Sequence, residues 1–280
     1  IQERRTQEVS NCKTIAICNQ KGGVGKTTTA ANLGAGLVNK GYKVLLIDAD
    51  AQGSLTASLG YPQPDQLNIT LTNVLTKLIK EEPLRRKYGI LKTEDGMDLL
   101  PCNIELSALE LSLVSVMNRE KILKEYVDSV RNDYDYIIID CMPSLGMITI
   151  NALAAADSVL IPVQTSFLPV KGLEMLIRTI RKVNRQINPD LEIAGILPTM
   201  YDSRTNYAKE IEEKIRKIYG KHVKVFDTPI PASVRAAEQP ATGVSIYRHD
   251  PKGKVADAYR VLTKEVLNNA EKRRKHQLEG

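Results

Sequence analysis

The chain has 280 residues, of which 42% are hydrophobic and 26% charged, a composition typical of a folded globular protein and unlike a fibrous or disordered one. No run approaches the ~18 consecutive apolar residues that a membrane-spanning helix needs, and the N-terminus lacks the apolar core of a signal peptide. The four cysteines form no C-x-x-C pair, which argues against a disulfide scaffold or a zinc site and favours a reducing cytoplasm.

The net charge of +6 is unevenly distributed along the chain. Residues 1–140 contain 17 Lys and Arg against 18 Asp and Glu, whereas residues 141–280 contain 22 against 15. A basic half favours a polyanionic partner, nucleic acid before membrane. Solvated helix faces produce the same excess, so the charge by itself leaves both interpretations open.

Short continuous apolar runs alternate with amphipathic segments along the chain. The apolar runs predict buried strands at residues 13–19, 43–48, 136–140, 158–163 and 192–198. The amphipathic segments predict helices at residues 28–39, 104–117, 120–131, 146–155, 170–187, 206–219 and 254–270. Strands that are apolar on both faces, alternating with helices, indicate an α/β fold, a doubly wound and mostly parallel sheet with helices on both faces.

We interpret residues 11–270 as a single domain, because no repeat or low-complexity segment divides them. The two prolines of residues 61–68 fit a surface loop better than a linker. Residues 1–10 are polar and predict a loose tail or a short helix. Residues 271–280, which include Lys-Arg-Arg-Lys, predict a basic, disordered tail.

The first predicted strand leads into a glycine-rich phosphate loop, Gln-Lys-Gly-Gly-Val-Gly-Lys-Thr-Thr-Thr at residues 20–29. A strand, a glycine loop and a helix direct backbone N–H groups and a helix N-terminus at one anion. We expect Lys26 to reach the β- and γ-phosphates of a nucleotide and the Thr27 hydroxyl to ligate Mg²⁺. The predicted nucleotide contacts are Lys21, Gly22, Gly23, Val24, Gly25, Lys26, Thr27 and Thr28.

Lys21 is the unusual residue of this loop. The general pattern G-x-x-x-x-G-K-[ST] has glycine where this chain has Gln20, and Lys-Gly-Gly-x-Gly-Lys-Thr marks a narrower group of nucleotide switches. Lys21 lies too far back along the loop to duplicate Lys26. We therefore expect it to neutralise phosphate charge from a second direction, such as that of a neighbouring subunit.

Three aspartates lie where predicted strands end. Asp140 closes Tyr-Ile-Ile-Ile-Asp, a place where a carboxylate orients the Mg²⁺ shell through water. Asp48 and Asp50 bracket Ala49, and residues i and i+2 face the same side if extended geometry persists. One would then serve the metal shell and the other the attacking water, for which we favour Asp50. Turn and cap roles remain open for Asp48 and Asp140.

Four segments together resemble one protein family. They are Lys-Gly-Gly-Val-Gly-Lys-Thr-Thr, Leu-Leu-Ile-Asp-Ala-Asp-Ala-Gln-Gly-Ser, Tyr-Ile-Ile-Ile-Asp-Cys-Met-Pro-Ser-Leu-Gly and Thr-Met-Tyr-Asp-Ser-Arg-Thr-Asn, and the match in order and spacing covers roughly residues 11–268. The chain resembles the ParA/Soj partition ATPases, which belong to the deviant Walker A class of P-loop NTPases. Ala51 and Met142 stand where this family usually has proline, a departure that bears on loop rigidity.

The resemblance implies a cytosolic, Mg²⁺-dependent ATPase with a slow basal rate that dimerises around two sandwiched ATP molecules. Lys21 matches the lysine that crosses to the partner's phosphates, and Asp50 matches the acid needed for hydrolysis. The expected catalytic residues are Lys21, Lys26, Asp48 and Asp50. Adenine packs in such proteins against segments that correspond to Thr199-Met200 and Pro229-Ile230-Pro231, which adds Met200, Pro229 and Pro231 to the expected nucleotide contacts.

The resemblance also implies that the ATP-bound dimer binds double-stranded DNA without sequence preference, on the nucleoid, and that a ParB-like centromere-binding protein stimulates hydrolysis. Arg204 and Arg235 match positions that contact DNA in chromosomal members. Four basic residues at helical i, i+3, i+4 and i+7 spacing extend this predicted surface, although a solvated face explains them equally well. They are Arg178, Arg181, Lys182 and Arg185.

Other proteins with this loop fit less well. A Min-type ATPase needs a C-terminal amphipathic membrane anchor, and the end of this chain has too little apolar surface for one, so we expect no membrane partner. A nitrogenase-type iron protein uses two cysteines, whose spacing Cys102 and Cys141 do not match. Two alternatives stay open. One is a ParA-like ATPase that positions a protein cargo. The other is a DNA-bound scaffold or regulator with little hydrolysis.

Overall fold

The apolar runs form one seven-stranded sheet. The computed structural model describes residues 12–166 and 170–279, with residue 170 and residues 270–279 described by their backbone alone. The strands are β1 (Lys13–Ile17), β2 (Val44–Ala49), β3 (Leu91–Lys92), β4 (Asp98–Leu100), β5 (Tyr136–Cys141), β6 (Ser158–Gln164) and β7 (Glu192–Thr199). Their order is β3-β4-β2-β5-β1-β6-β7, and all neighbours are parallel except β3 and β4.

Helices cover both faces of this sheet. They are α1 (Lys26–Val38), α2 (Ser54–Ser58), α3 (Leu71–Ile79), α4 (Glu105–Ser112), α5 (Ile122–Val130), α6 (Met147–Ala155), α7 (Val170–Gln186), α8 (Asn206–Tyr219), α9 (Val234–Glu238), α10 (Ile246–His249) and α11 (Lys254–Glu279). Helices α3 to α8 pack on one face, and α1, α2, α10 and α11 pack on the other.

Alternation along the strands explains why their sequences are apolar throughout. Leu45 and Ile137 point into the core beneath α3 to α8, whereas Leu46 and Ile138 point into the core beneath α1 and α11. Helices cover both faces, so most positions of these strands are apolar. The predicted doubly wound, mostly parallel α/β fold is confirmed.

Several predicted boundaries differ from the observed ones. Helix α1 begins at Lys26, earlier than the predicted 28, because Gly25 takes the left-handed N-cap conformation at φ 84° and the helix starts directly after it. The predicted helix at 104–117 is interrupted: α4 ends at Ser112 and a 3₁₀ turn follows at Leu113–Ser115. Strands β3 and β4 were missed because two- and three-residue strands carry no readable period.

The C-terminal helix extends past its predicted end. Helix α11 was predicted to end at residue 270, but it continues to Glu279, so the predicted tail at 271–280 is helical as far as Glu279. Lys, Arg, Glu and Leu in that stretch are good helix formers, which gives the continuation its physical reason. The tail predicted at residues 1–10 lies outside the described residues. No described helix combines the length and the apolar character needed to cross a membrane.

Candidate functional site

The phosphate loop lies between β1 and α1, at the sheet edge where the parallel strands end. Gly23 and Gly25 have φ of 68° and 84°, a left-handed backbone that glycine adopts without the strain of a side chain. Val24 is buried between them, and Lys26 is only 7% exposed although it carries a charge. Of the eight predicted contacts, residues 21–25 lie in the turn after β1 and residues 26–28 form the start of α1.

Asp140 stands beside this turn at the end of β5, where it is paired in register with Ile17 of β1. The Thr27 hydroxyl donates to Asp140 Oδ2 at 2.7 Å. Asp140 Oδ1 is buried and has no hydrogen-bond partner among the described residues. Burial, followed by the charge of Asp48, raises the pKa of Asp140 to about 8.

These features of Thr27 and Asp140 form a site that suits a hard divalent cation. A buried carboxylate oxygen without a donor is costly, and a cation or its water shell would remove that cost. The hydroxyl of Thr27 and the carboxylate of Asp140 are both oxygen ligands of the kind that Mg²⁺ prefers. The residues present therefore fit the predicted ion.

Asp48 is fully buried next to Asp140, its register partner on β5. Its Oδ2 accepts hydrogen bonds from the Thr56 amide at 2.8 Å and from the Thr56 hydroxyl at 2.7 Å, and its Oδ1 accepts from the Asp50 amide at 3.2 Å. Burial raises the pKa of Asp48 to about 6. Asp48 thus links the turn after β2 to α2 by hydrogen bonds, a contact that the sequence did not predict.

Asp50 lies outside the strand, because β2 ends at Ala49. The shared direction expected of residues i and i+2 in extended geometry therefore does not apply to Asp48 and Asp50. The Asp50 side chain is partly exposed, and its Oδ1 accepts a hydrogen bond from the Gln52 amide at 3.0 Å. The structure thus puts Asp48 inside the fold and Asp50 at its surface.

Lys21 is exposed at the entrance of the loop. Its Nζ donates to Gln164 Oε1 at 3.2 Å, and its amide donates to Asn19 Oδ1 at 3.0 Å. Gln164 is the last residue of β6, and β6 is the neighbour of β1 on the side away from β5. Sequence reasoning missed Gln164, although its place at the end of an apolar run was the available signal.

The segments expected to hold adenine meet next to the loop. The Thr199 hydroxyl, at the end of β7, donates to the Val24 carbonyl oxygen at 2.8 Å. Met200 follows with a left-handed φ of 51° and is 38% exposed. Tyr201 pairs with Pro231 in an isolated parallel bridge, so Met200 and residues 229–231 lie side by side.

The two arginines matched to DNA contacts lie in the segments that directly follow the two residues of this bridge. Arg204 is three residues past Tyr201 and Arg235 four past Pro231. Their side chains are 87% and 66% exposed, with Arg204 bound to Asp202 at 2.9 Å and Arg235 lying 3.7 Å from Glu238. Such exposed ion pairs are weak and exchange readily for another anion.

The four basic residues at helical spacing all lie on the solvent side of α7. The opposite side of that helix is buried, with Leu176 and Ile180 in the core. None of the four forms an ion pair with another described residue. They are Arg178, Arg181, Lys182 and Arg185.

Comparisons with known proteins place this site in a family. A family model described as an AAA domain matches residues 12–193. The sporulation initiation inhibitor protein Soj of Bacillus subtilis is 44% identical over 259 residues, which cover 92% of this chain and 99% of Soj. The chromosome partitioning protein ParA of Caulobacter vibrioides is 40% identical over 259 residues, which cover 91% of this chain and 94% of ParA.

A solved structure agrees with the fold over nearly its whole length. The crystal structure of cobyrinic acid a,c-diamide synthase from Mycobacterium smegmatis, with bound ADP and magnesium, has a TM-score of 0.81 and 37% sequence identity. The alignment covers 93% of this chain and 96% of that one. Since the family model and these two relatives match most of the chain, this protein belongs to the ParA/Soj family of P-loop ATPases.

Proposed function

We propose that this protein is a partition ATPase that binds Mg²⁺ and ATP at residues 21–28, forms an ATP-sandwich dimer on non-specific double-stranded DNA, and hydrolyses ATP when a ParB-like partner stimulates it. Membership of the ParA/Soj family supports the assignment of ATPase and partition activity. One observation in the molecule supports the nucleotide site above all others. Asp140 and Thr27 share a hydrogen bond beside the buried Lys26, with one carboxylate oxygen left without a donor among the described residues.

The phosphate groups are held by the loop itself. Backbone N–H groups of residues 22–28 and the start of α1 offer donors and a positive dipole end to an anion. Lys26 adds a full charge that burial keeps close to the phosphates. Thr27 and Asp140 would hold Mg²⁺, and the ion would supply positive charge that neutralises the phosphate oxygens.

Asp50 is the residue that we assign to the attacking water. Its partly exposed carboxylate follows β2 directly, and the amide of Asp50 is held by Asp48. Asp48, which is itself held by Thr56, acts on this proposal as a positioning residue for the turn. A carboxylate that orients water must be kept in place by its neighbours, and this chain of hydrogen bonds supplies that support.

Lys21 is the residue that we assign to the second subunit's phosphates. It is exposed, and the contact of its Nζ with Gln164 is a hydrogen bond to a neutral amide at the surface. Such a bond contributes little net free energy, so the side chain can exchange it for a phosphate group of higher charge. Exposure is what a lysine that acts across a dimer interface requires.

The DNA-binding surface that we propose includes Arg204 and Arg235, with the basic side of α7 as its extension. All of these side chains are solvent-accessible, and those on α7 have no competing acidic partner among the described residues. Contacts to DNA phosphates would be independent of base sequence and would weaken with salt through counterion release. The protein would then be found in the cytoplasm, on the nucleoid.

The test measures ATP turnover with and without double-stranded DNA, together with molar mass by light scattering. We compare wild type with Lys21→Ala, Lys26→Ala and Asp50→Ala, and use Lys40→Ala, an exposed lysine beyond the far end of α1, as the matched control. Lys26→Ala should lose nucleotide binding. Asp50→Ala should keep the ATP-dependent dimer and DNA binding but lose turnover. The control should behave as wild type.

Two results would contradict the proposal. Normal ATP-dependent dimers and turnover in Lys21→Ala would refute the role of this lysine across an interface. DNA binding that ignores ATP, or that persists at high salt, would favour the scaffold over the switch.

A further inference from the structure

Two buried thiols lie against each other directly beneath the nucleotide site. The Cys18 Sγ donates to the Cys141 Sγ at 2.9 Å, and each residue is only 1% exposed. The two cysteines are 123 positions apart in the chain. Neither thiol has a part in the proposed hydrolysis, since the loop, Asp140 and Asp50 supply that chemistry.

The strand register explains the contact. Ile17 pairs with Asp140 on the neighbouring parallel strands β1 and β5, and Cys18 and Cys141 are the residues that follow this pair. Neighbouring strands are about 4.8 Å apart, a backbone separation within the ~4.4–6.8 Å range of Cα distances found across disulfides. The sulfur atoms need to approach by less than about 1 Å to reach bonding distance.

The position of the pair connects it to the site. Cys18 is followed by Asn19, whose side chain holds the Lys21 amide, and Cys141 directly follows Asp140. Closing the remaining gap of less than about 1 Å between the sulfurs would shift the side chains and backbone at the ends of β1 and β5 by a fraction of an ångström. The Thr27–Asp140 hydrogen bond lies at this same edge and would be displaced with them.

We propose that Cys18 and Cys141 are a reversible redox-modification site, at which a peroxide forms a disulfide that slows ATP turnover. This goes beyond the proposed partition function, whose chemistry uses no thiol. Displacements of a fraction of an ångström among groups that bind phosphate and metal lower rates strongly, and we expect about tenfold slower turnover in the oxidised protein.

The oxidation balances as a two-electron reaction. One thiol, after loss of its proton, attacks a peroxide oxygen, the O–O bond breaks, and a sulfenic acid and water form. The second thiol then attacks the sulfenic sulfur, the S–O bond breaks, and a disulfide and a second water form. Two sulfurs are oxidised and one hydrogen peroxide is reduced to two waters. A thiol reductant reverses the change by disulfide exchange.

Peptide mapping tests the bond itself. Trypsin cuts after Lys13, Lys21, Arg131 and Lys171, so Cys18 falls in peptide 14–21 and Cys141 in peptide 132–171. The full chain is treated with hydrogen peroxide, blocked with an alkylating reagent and digested. We expect peptides 14–21 and 132–171 joined, at a mass lower than their sum by two hydrogen atoms, and separate again after reduction. Separate peptides carrying only sulfinic or alkylated cysteine would overturn the proposal.

Measurements of ATP turnover test whether the disulfide slows hydrolysis. Cys18→Ala and Cys141→Ala should keep their ATPase rate after peroxide, whereas wild type should slow and recover with reductant. Cys102→Ala is the matched control, because Cys102 is also buried but donates to the Asn103 carbonyl oxygen at 3.5 Å and not to a thiol. It should respond as wild type does. Joined peptides with unchanged turnover would overturn the coupling to the site.

These readouts separate this proposal from the proposed function. A reduced wild-type protein without ATPase activity would contradict the partition function, while the mapping of the joined peptides would still decide the thiol pair. The mapping uses wild type alone, so a variant that fails to fold leaves the test of the bond intact.

Discussion

Thr27 and Asp140 are joined by a hydrogen bond of 2.7 Å between Oγ1 and Oδ2, and this bond links the first turn of α1 to the end of β5. The two residues are 113 positions apart. The bond brings a hydroxyl and a carboxylate, the two oxygen types suited to Mg²⁺, to the same edge of the sheet as Lys26.

Removing the Thr27 hydroxyl should weaken Mg²⁺ binding while leaving the fold intact. Thr27→Val keeps the shape of the side chain but removes both the oxygen ligand and the bond to Asp140. We expect ATP turnover to fall by about 10²-fold, with a higher Mg²⁺ requirement. Thr27→Ser keeps the hydroxyl and should stay within a few-fold of wild type. Turnover titrated against Mg²⁺ measures this, and equal Mg²⁺ curves for the valine and serine variants would contradict the assignment.

Asp140 should make the stability of the nucleotide-free protein fall as pH rises. The pKa of Asp140 is raised in the fold to about 8, above its ordinary value of 3.8, so the folded state binds more protons than the unfolded state between these values. Its stabilising contribution is complete below pH ~4 and is lost as pH rises toward 8. Asp48, with a pKa of about 6, adds to the loss over the lower part of this window.

Asp140→Asn tests this pH dependence, because the amide does not ionise. Melting temperatures are recorded from pH 5 to 8 without Mg²⁺ or nucleotide. We expect the variant to lose less stability than wild type over this range and to melt several degrees higher at pH 8, since each kcal/mol shifts the midpoint of a domain of this size by roughly 2–4 °C. Parallel pH profiles would show that Asp140 does not titrate in this window. The same variant should lose ATP turnover.

Thr56 should matter for stability through Asp48. Thr56→Val removes a hydroxyl that donates to the buried Asp48 carboxylate and also accepts from the Cys102 amide at 3.0 Å. Leaving these buried groups without a partner should cost about 1–3 kcal/mol in the free energy of unfolding. Urea denaturation measures the change, and Thr56→Ser, which keeps the hydroxyl, is the control. A valine variant as stable as the serine variant would show that the Thr56 hydroxyl does not stabilise the fold by holding Asp48.

Arg204 and Arg235 should each bind one DNA phosphate. Arg204→Ala and Arg235→Ala should weaken binding of the ATP-bound protein to any duplex sequence. Each substitution should also lower the slope of log affinity against log salt by about one, because one fewer phosphate is neutralised. Lys80→Ala, an exposed lysine at the end of α3, is the control for removal of a charge. An unchanged salt slope would remove these arginines from the interface. The same titration on Arg181→Ala decides whether α7 belongs to it.

Secondary structure and fold class were predictable because both depend on patterns within short stretches. The apolar runs located the five longest strands to within two residues at either end, since each such strand is covered on both faces. Helix α8 was predicted with its observed bounds because it has a polar and an apolar side. Helices α2, α9 and α10 have at most five residues, and stretches of that length do not show the helical period.

By itself, the sequence determined the phosphate loop, the acids at the ends of β2 and β5 and the family, because these are patterns of consecutive residues. Only the tertiary structure decided which distant side chains meet. Hydrogen bonds join Cys18 to Cys141, Lys21 to Gln164 and Thr199 to the Val24 carbonyl oxygen. The partners in these pairs are 123 to 175 positions apart in the chain. The physical reason is the strand order, which puts β1 between β5 and β6 and so joins segments that the chain connects only through long crossovers.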